Sequence, residues 1–133
     1  MSLEATIKTG ATALAATGGD DQALVSLGIS ANKNVVFFDG DTDFRTRRTI
    51  DFTTKAPTVQ ASAPNGYTQA RSTALLKFPL ELDNGERTVN TVRIEVAYDP
   101  ESTAAEVEEM LEVAGQVVGT SAFFDFWKEH NLS

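Results

Sequence analysis

Gln69–Tyr98, QARSTALLKFPLELDNGERTVNTVRIEVAY, decides the fold of this chain. Two runs of alternating side chains flank one turn. In the first, Ala74, Leu76, Phe78, Leu80 and Leu82 share a face, and Arg71, Thr73, Leu75, Lys77 and Glu81 take the other. In the second, Val92, Ile94, Val96 and Tyr98 alternate with Thr91, Arg93 and Glu95. A period of two belongs to a strand with one face buried. Asp83-Asn84-Gly85-Glu86 carries the Asn-Gly pair of a tight hairpin, so the two strands are antiparallel neighbours. Pro79 lacks the N–H of a ladder residue and predicts an edge or a bulge.

Upstream, Phe44–Lys55 also alternates. Thr46, Arg48, Ile50, Phe52 and Thr54 point one way, and Arg45, Arg47, Thr49, Asp51, Thr53 and Lys55 the other. Asn34–Phe38 is a compact β-branched and aromatic run closed by the turn signal Asp39-Gly40-Asp41. Ala56–Gly66, with Pro57, Pro64 and Asn65-Gly66, reads as a connection. Near the N-terminus, weak β patterning at Ala5-Thr6-Ile7 and Ala23-Leu24-Val25 flanks the turn-prone Gly18-Gly19-Asp20-Asp21, which predicts a short hairpin or arm.

Beyond Tyr98 the period changes. Asp99 before Pro100 predicts an N-cap with proline at the first helical position, and Glu101 adds favourable charge. Val107, Met110, Leu111, Ala114, Val117 and Val118 form one apolar stripe, with Gly119 as the C-terminal cap. A second short helix from Ser121 to about Glu129 carries Phe123, Phe124, Phe126 and Trp127. Strands first and helices last give an α+β layout in a single domain, residues 1–133. Its parts are an N-terminal β-hairpin or arm at 1–32, an antiparallel β-sheet of about five further strands at 33–98, and two C-terminal α-helices at 99–133. One helix of about 19 residues spans ~28 Å and covers little of a broad sheet, so a partner supplying its own helices is a natural solution.

The chain has 133 residues, no Cys, one His and a formal net charge of -8, which describes one small, soluble, acidic domain. Without Cys there is no disulfide scaffold, thiolate metal site or cysteine nucleophile. The single His130 excludes His-dyad metal sites and argues against Ser-His-Asp chemistry. No apolar run approaches the ~20 residues of a membrane helix, and the N-terminus lacks the blocks of a secretory signal, so the expected location is the cytoplasm of the producing cell.

An acidic balance argues against nucleic acid until it is resolved by segment. Asp99–Ser133 holds eight acids and one base, net -7, whereas the first 98 residues are net -1. Seven of the 11 basic residues, Arg45, Arg47, Lys55, Arg71, Lys77, Arg87 and Arg93, take the strand parity opposite the apolar face. Such a face can follow a phosphate backbone. Equally, it can be an ordinary solvated face with Asp51, Glu81 and Glu95 as cross-strand partners.

Other signals are weaker. Asp39-Gly40-Asp41-Thr42-Asp43 fails the EF-hand register, since the required Gly falls on Phe44 and the final Glu on Ile50; an acidic turn is the simpler reading, with an ion between subunits as the alternative. The aromatic cluster Phe123, Phe124, Phe126 and Trp127 fits completion of a core or a subunit contact better than an open binding patch. His130 reads as a solvated helix-end residue.

Several runs, in order, carry a resemblance: Arg45-Thr46-Arg47-Arg48, Gly66-Tyr67-Thr68-Gln69-Ala70-Arg71, Leu76-Lys77-Phe78-Pro79-Leu80, Thr88-Val89-Asn90-Thr91-Val92-Arg93-Ile94-Glu95 and Thr103-Ala104-Ala105-Glu106. From about Lys33 to the C-terminus the chain resembles the levivirus-like coat (capsid) proteins of single-stranded RNA bacteriophages. The resemblance implies a homodimer whose sheets join and whose helices cross onto the partner, with Ile50, Phe52, Val107, Met110, Leu111, Phe123, Phe124 and Trp127 as dimer or core contacts. It further implies a virion component, made in the bacterial host cytoplasm, that assembles into an icosahedral shell around the RNA genome. The sheet faces inward and binds an RNA hairpin for translational repression and packaging. The implied RNA-facing residues are Arg45, Arg47, Thr49, Arg71, Thr73, Lys77, Thr91 and Arg93. No cofactor, metal, catalysis or membrane contact is implied.

Two departures stand out. Better-studied members stack a base on an aromatic of the last strand, where this chain has Arg87, Val89, Thr91 and Arg93 at the outward positions. The Asp83–Glu86 link is also shorter than the long loop of those members. The competing readings are a small α+β enzyme or ligand-binding domain, disfavoured because no nucleophile–base pair, paired carboxylates or cofactor loop is present, and a non-viral RNA-binding regulator.

Overall fold

The computed structural model describes residues 6–10, 16 and 18–130. They fall into two compact units, one spanning Gly19–Pro100 and the other combining Met1–Gly18 with Glu101–Ser133.

The first unit is a five-stranded antiparallel meander: β1 (Leu24–Ser30), β2 (Lys33–Phe38), β3 (Thr49–Lys55), β4 (Ala70–Glu81) and β5 (Arg87–Tyr98), in that spatial order. The β4–β5 hairpin has the expected register, from Ala70 opposite Tyr98 to Glu81 opposite Arg87. Its turn uses Gly85 at φ 85°, a left-handed conformation that suits glycine, and Leu82 accepts from the Gly85 N–H at 2.9 Å. Pro79 lies past the last β3–β4 pair, Thr49 opposite Lys77, so β4 has only β5 beside it there. That is an edge position, where proline is tolerated.

Three expectations are corrected. The first hairpin is β1–β2, which places the start of the sheet at Leu24 and gives five strands in all among the described residues; Thr6 and Ile7 form no strand, and Ala5 lies outside those residues. Instead, the backbone of Lys8–Gly10 is matched by side chains of the first helix. Gln116 accepts from the Lys8 N–H and donates to the Lys8 carbonyl, both at 2.8 Å, and the Glu109 carboxylate accepts from the Gly10 N–H at 3.0 Å. Secondly, the strand read at Phe44–Lys55 starts only at Thr49. The Asp43 carbonyl accepts from the N–H groups of Thr46 and Arg47 and its carboxylate from the Arg45 N–H, so Phe44–Thr46 is a turn. Thirdly, the helix is capped by Thr103, not Asp99. Thr103 and Glu106 satisfy one another in a reciprocal capping box, while Asp99 accepts from the Asn65 amide at 2.7 Å and ties down the connection before β4.

The helical unit holds α1 (Ala104–Gly119), a single 3-10 turn at Ser121–Phe123 and α2 (Phe124–Glu129). Trp127 donates its indole N–H to the Val117 carbonyl at 2.8 Å, which pins α2 to the end of α1. Phe123 is buried, Val107 and Phe124 are half-buried, and Met110, Leu111, Val118 and Trp127 are exposed. None of the described helices is long and apolar enough to cross a membrane.

One sheet face is apolar. Val36, Ile50, Leu76 and Val92 form one cross-strand row, and Phe52, Ala74 and Ile94 belong to the next. Of these only Val36 is buried; Phe52, Val92 and Ile94 are 41%, 48% and 40% exposed. The small side chains of Ser72 and Ala74 leave a shallow depression of about 330 Å³ bounded by Phe52, Thr54, Ile94 and Val96.

Candidate nucleic-acid interface

The opposite face is polar, and strand pairing fixes its rows. Phe37, Thr49, Lys77 and Thr91 form one; Val35, Asp51, Leu75 and Arg93 the next; Lys33, Thr53, Thr73 and Glu95 a third; Lys55, Arg71 and Ala97 a fourth. Six of the eight residues assigned to RNA, Thr49, Arg71, Thr73, Lys77, Thr91 and Arg93, therefore do lie together on one surface of β3, β4 and β5. The other two, Arg45 and Arg47, precede β3 and are placed by the turn instead.

Strand parity missed the β2 residues of this face, Lys33, Val35 and Phe37. Lys33 shares it because β2 places residues 33, 35 and 37 on one side, and Phe37 shares it for the same reason. The run Val35–Phe38 reads as uniformly apolar, and the signal that separates its faces is the pairing of Phe37 with Thr49 rather than anything local.

The charges are partly compensated. Asp51 is buried, and its Oδ2 lies 3.1 Å from the Lys77 ammonium and 3.7 Å from that of Lys33. Arg71 meets Glu95 at 3.3 Å across β4 and β5. Arg93 makes no ion pair among the described residues. In sum, the ordinary cross-strand partners do exist, yet cations outnumber carboxylates. On these strands Lys33, Lys55, Arg71, Lys77, Arg87 and Arg93 share the face with Asp51, Glu81 and Glu95, and Asp43 of the preceding turn lies within electrostatic reach of Arg87. An exposed surface with that surplus attracts polyanions in a salt-dependent way.

The arginine run ahead of β3 divides. Arg45 is bound by Asp43, through Nη2 at 3.2 Å and Nε at 3.3 Å. Arg48 is bound by Asp41 in a fork, Nε at 2.9 Å and Nη2 at 3.1 Å, and Asp41 also accepts from the Arg48 backbone N–H. Hydrogen bonds from the arginine side chains, then from their backbone, hold both carboxyls below the ordinary aspartate value, and the same carboxylates raise the two guanidiniums. The Arg48 guanidinium also lies over Phe38 and Phe78, at 4.5 and 5.7 Å, on the apolar side. Arg47 turns the other way, 4.4 Å over the Phe37 ring. Arg45 is thus paired within its own turn, ahead of the strands.

No protein-family model matches the sequence, and no curated protein matches it. Several solved structures are similar, among them two virus-like particles. The virus-like particle of bacteriophage GQ-907 shares 32% identity over 98% of each chain, with a TM-score of 0.87. The virus-like particle of Beihai levi-like virus 21 shares 16% identity over 90% of this chain and 93% of that chain, with a TM-score of 0.69, a likeness of fold.

Proposed function

Because this chain belongs to the levivirus-like coat proteins of RNA bacteriophages, we propose that it dimerises, closes into an icosahedral shell as a virion component, and meets single-stranded RNA with its charged sheet face. The observation that carries the assembly is uncovered apolar surface in both units. Phe52, Val92 and Ile94 on the sheet, and Met110, Leu111 and Trp127 on the helices, are each 40% exposed or more. Two copies related by a two-fold axis satisfy both surfaces at once, the helices of each lying on the sheet of the other. Covering each half-exposed side chain gains about 1 kcal/mol, so that these six on both subunits supply about 12 kcal/mol against an association cost of about 4–15 kcal/mol.

The two sheet edges differ in a way that selects the joining strand. β1 carries a bulge between Ser26 and Ile29, with Gly28 at φ 119°, which twists and blunts that edge. β5 is 12 residues long and contains no proline, and Arg87–Glu95 is exposed throughout. Antiparallel pairing of two β5 strands continues the sheet across the dimer and leaves the polar faces of both copies on one side. The particle then encloses RNA against the cationic surface, and binding of an RNA hairpin there supplies translational repression and a packaging signal.

Electron microscopy of the expressed protein, with nuclease treatment and extraction of protected RNA, tests this. Closed particles containing RNA are expected. Monomers without RNA absorbance under shell-forming conditions would overturn it.

A further inference from the structure

Within four residues, Arg45, Arg47 and Arg48 reach three different environments. The outer two are neutralised by Asp43 and Asp41. Arg47 makes no ion pair and donates no side-chain hydrogen bond among the described residues; its partner is the Phe37 ring. That ring belongs to the polar face, in the row with Thr49, Lys77 and Thr91. The arrangement places a guanidinium, its carbon 4.4 Å from an aromatic centroid and its donors unspent, on the surface that carries the cation surplus.

We propose that Arg47, seated on Phe37, is a stacking platform for an unpaired RNA base, an assignment that rests on the RNA-facing reading of this sheet face and adds a base contact to it. Unpaired RNA bases are held by stacking on aromatic rings or on guanidinium planes, and an arginine already ordered by a ring loses little freedom when a base arrives. Strand spacing puts the Lys77 and Thr91 backbones about 10 and 14 Å from that of Phe37, close enough for the ammonium to take a phosphate and the hydroxyl a sugar or base edge of neighbouring nucleotides. The ligand class is a single-stranded or loop nucleotide of any base, since every base offers a π-face.

The test uses full-length protein below its shell-forming concentration, a short oligoadenylate, and the abasic oligomer of the same length and charge. The wild type binds the oligoadenylate roughly tenfold more tightly than the abasic strand. Arg47→Lys keeps the charge, loses the plane and brings that ratio near one; Phe37→Leu reduces it; Lys77→Ala weakens both oligomers alike. Equal wild-type affinities, or a ratio that survives Arg47→Lys, would overturn the platform. A lowered melting temperature with an unchanged ratio identifies the stack as a brace for the turn and overturns it too. If neither oligomer binds in a salt-dependent manner, the RNA-facing reading itself fails and the platform with it. Salt-dependent binding that ignores the base removes the platform alone.

Discussion

The two faces of the sheet share one backbone and obey different physics. On one side Phe52, Val92 and Ile94 offer area without direction, and what they lack is cover. On the other, Asp51 sits between Lys33 and Lys77, and Arg71 pairs with Glu95, so what that side lacks is anions. An apolar face is satisfied by any surface of matching shape, whereas a charged face is satisfied only by groups of opposite sign at the right spacing. Arg47 and Arg48 repeat the contrast in adjacent residues: one stacks on Phe37 over the polar side, the other on Phe38 over the apolar side with its charge consumed by Asp41.

The largest expected effect comes from giving the apolar face the character of the other. Ile94→Asp leaves the isolated chain intact, because the position is 40% exposed there. Once covered in a dimer, an unpaired carboxylate costs about 3–5 kcal/mol per copy. Size-exclusion chromatography is expected to show monomers and electron microscopy no particles. Particles at wild-type yield would mean that this face is not the subunit contact.

Stripping the polar face acts on RNA rather than on assembly. Lys77→Ala with Arg93→Ala removes two of the proposed phosphate contacts, and the slope of log affinity against log salt should become shallower by about 1.4 to 1.8. Asp51→Asn moves the same slope the opposite way by freeing both lysines, so RNA binds more tightly at low salt. The same change lowers folding stability by about 1–2 kcal/mol, less than for a fully buried pair because the two lysines are 48% and 43% exposed. Denaturant melts and filter binding in a salt series separate the two effects. An Asp51→Asn variant with weaker RNA binding would show that the carboxylate positions the ammoniums instead of offsetting them.

These differences were unequally legible in the sequence. The bounds of β5 and the β4–β5 register follow from strict alternation about Asn84-Gly85, and local information suffices there because pairing partners are close in the chain. β3 is harder: Phe44–Arg48 alternates as convincingly as Thr49–Lys55, and only the Asp43 carbonyl, by accepting from Thr46 and Arg47, decides that the former is a turn. At the helix start two capping residues compete, and Asn65, more than thirty positions away, engages Asp99. Lys33, Asp51 and Lys77 lie on three strands and meet diagonally, a relation that exists only once both registers are set. Parity along a strand is readable; coincidence between strands is a property of the assembled sheet.

The smallest effect concerns the Asp41–Arg48 fork, which lies where β3 begins. The Arg48 hydrogen bonds lower the Asp41 carboxyl from its ordinary 3.8. A group whose folded value is depressed contributes stability that is fully present above its unfolded value and is lost as pH falls through the folded one. Wild-type protein should therefore melt above Asp41→Asn at neutral pH, and the difference should shrink below about pH 4 and vanish in stronger acid. Arg48→Lys keeps the charge but loses the fork and much of the contact with Phe38 and Phe78, so it should fall between the two at neutral pH. A gap between wild type and Asp41→Asn that persists at pH 2 would assign the stabilisation to packing around Arg48 rather than to the ionised carboxylate.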